Sequence, residues 1–146
     1  MDIMEVLKQN WYVFTVMIIA CVVAVVYGYA RLAKMKVSNQ NFLAKHPDSA
    51  KIYLTQRALI TSEAVTVYSV DGEAPQSFNE SGKTGFYVVP GERKVEVDYT
   101  YSRPGIMHKN VTESTGVVEK TLMTEPRKSY LLSFDRDEEA FTFTEV

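Results

Sequence analysis

From Trp11 to Ala30 the chain reads WYVFTVMIIACVVAVVYGYA, 20 residues without a charge. At a helical rise of about 1.5 Å per residue, that run matches the ~30 Å hydrocarbon core of a bilayer. It is longer than the apolar core of a secretory signal. The ten residues before it sum to −1, where a signal would be basic. The sequence therefore predicts a retained, single-pass transmembrane helix over residues 11–30. Residues 1–10 then form an N-terminal tail, residues 31–50 a basic juxtamembrane neck, and residues 51–146 a folded domain.

The run is patterned in three ways. Trp11 and Tyr12 (with Phe14) stand at one end and Tyr27 and Tyr29 at the other, where amphipathic rings favour the headgroup level, so these are expected membrane-interface anchors. Ala20, Ala24 and Gly28 recur every four residues, which places small side chains on one helical face and predicts a helix–helix interface. Lys8 is the one basic residue before the run, against Arg31, Lys34 and Lys36 just after it. The positive-inside rule then puts the neck and the domain in the cytoplasm. The analogy with small β-modules displayed outside bacterial membranes points the other way, to an extracytoplasmic domain.

Charge is unevenly spread: residues 31–46 sum to +4 and residues 47–146 to −5. An acidic domain has little attraction for phosphate backbones, which argues against a nucleic-acid partner. A basic neck beside an apolar run suits anionic lipid headgroups, so the lipid bilayer is the expected anionic partner. The single cysteine, Cys21, lies inside the apolar run and cannot staple the domain.

Beyond His46-Pro47-Asp48, where proline interrupts helical geometry, short stretches alternate with a period of two. Lys51–Arg57 and Glu63–Val70 read as strands, Asp71-Gly72 as a turn, and residues 73–84 as a polar loop. The clearest strand is Lys94–Tyr101, with Val95, Val97, Tyr99 and Tyr101 facing a core and Lys94, Glu96, Asp98 and Thr100 facing water. Pro104-Gly105 suits a type II turn. Strands near 106–113, 116–123, 129–134 and 140–145, with an Asp135–Glu139 hairpin, complete the set. The spacing predicts an all-β domain: a small antiparallel β-sandwich, or a partly open barrel, of about seven strands.

The stretch Gly85-Phe86-Tyr87-Val88-Val89-Pro90-Gly91-Glu92-Arg93-Lys94-Val95-Glu96-Val97, preceded by Val65-Thr66-Val67 and Asp71-Gly72, resembles PEGA-type β-sandwich modules of bacterial membrane and surface proteins. The resemblance runs over residues 65–97. It implies a sandwich fold and a structural or binding role without catalysis. The stretch 73–84 and the C-terminal strands depart from the family's pattern.

The residues offer little for catalysis. Two histidines, His46 and His108, exclude a multi-histidine metal site within one chain. His108 reads as an ordinary strand or turn residue, because no nucleophile-elbow glycine pattern accompanies it. Asp135-Arg136-Asp137-Glu138-Glu139 lacks the glycine and distal glutamate of a calcium loop and reads as a solvated turn. Tyr87, Tyr99, Tyr101 and Tyr130 read as packing residues by their alternation, or as a recognition patch. The expectation is a non-enzymatic, membrane-anchored accessory or scaffolding subunit. It would need no cofactor and would bind another membrane protein or a second copy through its helix. The alternative is a ligand- or glycan-binding domain outside the cytoplasm.

Overall fold

The computed structural model describes residues 3–107 and 109–146, so His108 lies outside the described residues. The chain forms two compact units, Met1–Val37 and Ser38–Val146.

A short helix, α1 (Ile3–Gln9), precedes the long helix α2 (Trp11–Lys45), which takes in both the apolar run and the basic stretch after it. No residue of α2 is buried. Among the described residues it is the one helix long and apolar enough to cross a membrane, judged by length and composition.

The second unit is mostly β, with ten strands in two sheets, where about seven were expected. One sheet has the order β10 (Ala140–Glu145), β9 (Ser129–Asp135), β1 (Ala50–Leu54), β5 (Lys83–Val88), β4 (Gln76–Glu80). The other runs β2 (Gln56–Ala58), β3 (Ser62–Val70), β6 (Gly91–Pro104), β7 (Asn110–Ser114), with β8 (Val118–Thr124) also pairing β6. The arrangement is sandwich-like, but not wholly antiparallel as expected. β1 and β9 run parallel, with Ile52 opposite Tyr130. Such a pair needs a long connection, and here most of the domain lies between the two strands.

The core is built by alternation. Ala50 and Ile52, Phe86 and Val88, and Tyr130 and Leu132 come from the first sheet; Val65, Val95, Val97, Tyr99 and Leu122 come from the second. Alternation breaks once, at a bulge between Val67 and Ser69 in the β3–β6 register. The extra residue turns Tyr68 outward, while Val67 and Val70 both reach the core.

Three local expectations are corrected. Residues 73–84 are not a loop, for they include strand β4 and the start of β5. Ser81 and Gly82 both have positive φ (52° and 78°), the geometry of a type I′ hairpin turn. Asp71-Gly72 turns in the same way, as expected (52° and 81°). Pro104 ends β6, but Gly105 is not in the left-handed region a type II turn would require; Met107 is, at φ 68°. Asp98 does not face water: it is 7% exposed, because Ser114, the last residue of β7, and Thr115 after it cover it and donate hydroxyl hydrogen bonds to its Oδ1 (2.8 and 3.2 Å).

The last residues of α2 belong to the second unit. Gln76 on β4 donates from Nε2 to Ser38 Oγ (2.8 Å) and to Asn39 Oδ1 (2.6 Å), and Asn39 donates to the Ser77 carbonyl (3.1 Å). β4 is thus an edge strand whose polar side chains are used by the helix beside it.

Candidate functional site

The anchor, helix-interface and neck residues singled out from sequence all lie on α2. Trp11, Tyr12, Tyr27 and Tyr29 are exposed, as are Arg31, Lys34 and Lys36. Ala20, Ala24 and Gly28 are four apart on a continuous helix and so share one face. A Cβ built on Gly28 meets nothing within 4 Å, so that face is open in the chain itself.

The second unit holds a feature that the sequence reading did not assemble. At one end of the two sheets, Tyr99 and Tyr101 of β6, Phe134 of β9 and Arg136 of the β9–β10 turn line a cleft of about 410 Å³. Alternation on β6 directs both tyrosines toward the opposite sheet, where Tyr99 stacks on Phe134 (ring centroids 4.3 Å, 21° between planes). Phe134 in turn meets Phe141 edge-on at 5.0 Å. The Arg136 guanidinium lies 3.9 Å above the Tyr101 ring, a cation–π contact. Such contacts contribute about 0.5–2 kcal/mol, more as water is excluded.

Glu63 of β3 stands opposite Tyr101 in register and accepts a hydrogen bond from the Tyr99 hydroxyl (3.1 Å). Burial, and then the Glu63 carboxylate, push the Tyr99 phenol up to about 12. Ionising this phenol would strand a second negative charge beside Glu63 in a poorly solvated place. Tyr99 is therefore a fixed neutral donor in the cleft wall.

The cleft combines flat ring faces, one guanidinium and the carboxylates of Glu113 and Glu139. That set suits stacking against a planar or ring-shaped ligand with hydrogen-bonding edges. It does not assemble a metal centre: among the described residues no group of three or more His, Cys, Asp or Glu converges. Tyr87 and Tyr130 take packing roles instead, Tyr87 against Phe78 (4.6 Å) and Tyr130 stacked on Phe143 (4.7 Å). Arg136 was hidden in sequence by its acidic neighbours, which made the turn read as a solvated charge cluster. The one available signal was a lone cation two residues after a core-facing phenylalanine.

No protein-family model, curated protein or solved structure matches this chain.

Proposed function

We propose that this chain is a non-catalytic, single-pass membrane protein whose β-sandwich domain is an accessory or scaffolding module for a protein partner. The carrying observation is that α2 is apolar on all sides from Trp11 to Ala30 and buries none of its residues within the chain. A helix hydrophobic all round must be covered by something, and a bilayer supplies that cover for its full circumference. The aromatic ends at Trp11, Tyr12, Tyr27 and Tyr29 support the same reading, and Arg31, Lys34 and Lys36 support a cytoplasmic domain. The resemblance of residues 65–97 to PEGA-type modules belongs to this proposal, as a binding or structural role.

The open Ala20-Ala24-Gly28 face is where a partner helix, or a second copy, would approach. Because a Cβ at Gly28 meets nothing, Gly28→Leu fits the isolated chain, and an effect on association reports on the partner. Purification in a mild detergent is expected to recover a complex or oligomer that Gly28→Leu dissociates. Recovery of the wild-type chain only as a free monomer would refute the reading.

A second reading rests on the cleft of Tyr99, Tyr101 and Arg136: a ligand- or glycan-binding domain on the extracytoplasmic side. It is distinguished by labelling a cysteine placed at Ser81 in intact cells. Labelling before permeabilisation favours the second reading.

A further inference from the structure

Two hairpin tips at the same end of the second unit expose aliphatic side chains almost completely. Between β2 and β3, Leu59 is 94% and Ile60 85% exposed; between β6 and β7, Ile106 is 96% and Met107 87% exposed. Register makes the tips neighbours. Ala58 pairs with Ser62, Ser62 with Ser102, and Pro104 with Asn110, so β3 and β6 lie side by side and each carries one tip. At the spacing of adjacent strands, the tips are separated by about 10 Å.

The second tip is held outward by its backbone. Gly105 accommodates the Lys109 carbonyl, with which a Cβ at that position would collide, so the loop closes on itself and leaves Ile106 and Met107 at its apex. Met107 occupies the left-handed region (φ 68°), where glycine or asparagine is the usual occupant. A large thioether side chain is kept where the backbone favours a small residue.

Just behind the four aliphatic residues stand Arg57, Arg103 and Lys109, all exposed. None of the three is in an ion pair among the described residues. They form a basic collar on a domain whose residues 47–146 sum to −5. Two carboxylates of these strands lie near this end: Glu63, which pairs in register with Arg57 and accepts the Tyr99 hydroxyl, and Glu113 of β7, which stands opposite Tyr101. The acidic Asp135–Glu139 turn lies at the same end but on the facing sheet, so the corner made by β2, β3, β6 and β7 is the part that can lead into an anionic surface.

Aliphatic apices in front of a cationic ring match the layers of a bilayer met from outside, anionic headgroups over hydrocarbon. We propose that Leu59, Ile60, Ile106 and Met107 insert into an anionic bilayer surface, with Arg57, Arg103 and Lys109 engaging its headgroups. This site lies wholly within Ser38–Val146 and does not depend on α2 spanning a membrane.

The test places the full chain in phosphatidylcholine nanodiscs and mixes it with vesicles of phosphatidylcholine alone or with phosphatidylserine. Co-flotation with the phosphatidylserine vesicles only is expected. Combining Leu59→Ser, Ile60→Ser, Ile106→Ser and Met107→Ser should lower partitioning at least tenfold. Arg57→Gln, Arg103→Gln and Lys109→Gln should each lower it roughly fivefold. A second measurement does not need the serine variants to fold: an environment-sensitive dye on Ile106→Cys, with Cys21→Ser, should shift to the blue only with phosphatidylserine vesicles. Equal flotation with neutral vesicles would overturn the proposal. So would undiminished flotation of the serine variant, which would assign binding to Arg31, Lys34 and Lys36. Disulfide-linked dimers through position 106 without flotation would overturn it too, assigning the tips to a second copy.

Discussion

Gly85 is a position with no room for a side chain, and Gly85→Ala tests the packing of the outer face of the first sheet. A Cβ there would collide with the Ile52 backbone carbonyl and come within 2.7 Å of Phe78 Cζ. Phe78, 5% exposed, reaches the glycine with its Cζ and sits between Tyr53 (5.5 Å) and Tyr87 (4.6 Å). The ring could tilt aside, but the carbonyl is held by the β1–β5 ladder, in which Ile52 and Tyr53 pair with Phe86 and Gly85. Overpacking of this kind costs about 1–3 kcal/mol, and reduced freedom of the unfolded chain returns roughly 0.4–1 kcal/mol. The expected net loss is about 1.3 kcal/mol, a fall in Tm of roughly 7 °C for a domain of this size. Thermal unfolding of the full chain in detergent, followed by near-ultraviolet circular dichroism, measures it. Adding Phe78→Leu should recover only part of the loss, because the carbonyl remains. A Tm for Gly85→Ala within about 2 °C of wild type would refute the geometry, given the sensitivity expected of such a domain.

Three further outcomes follow from the second unit. Tyr99 should ionise late, near pH 12; since its folded value lies above the ordinary 10.0, its stabilising contribution is intact below pH 10 and lost as pH rises from 10 to about 12. Phenolate absorbance during alkaline titration should show this late step in wild type and not in Tyr99→Phe. Asp98→Ala removes the acceptor for Ser114 and Thr115 and should destabilise by about 1–3 kcal/mol in urea unfolding, with unchanged stability contradicting the buried network. Lys94→Ala should change stability by less than about 0.5 kcal/mol, because the Lys94–Glu119 pair is long (3.7 Å) and both side chains are more than half exposed.

The parts of the fold readable in sequence are those governed by short-range pattern. The run from Trp11 to Ala30 is legible because its chemistry is continuous, and the core face of β6 because Val95, Val97 and Tyr99 alternate without interruption. β4 was missed because it is an edge strand: only Phe78 among its five residues is buried, and its polar side chains serve hydrogen bonds with Ser38 and Asn39. The parallel β1–β9 pair joins Lys51 to Ser129, and no local pattern encodes a partner so far away. Asp98 looked solvated because alternation describes a strand, not the loop that crosses it. The cleft shares this difficulty, since Glu63, Tyr99, Tyr101, Phe134 and Arg136 come from three separated segments. The exposed tips were hidden differently: Leu59-Ile60 falls between two expected strands and Ile106-Met107 at the start of a third, and only register brings the two pairs together at hairpin apices.

The proposed function requires that residues 11–30 remain in the mature chain and cross a bilayer. Alkaline extraction of membranes, followed by mass spectrometry of what stays in the pellet, tests it most directly. The expected result is a chain retained after extraction with the Trp11–Ala30 segment present. A chain released by alkali, or one recovered without that segment, would contradict it.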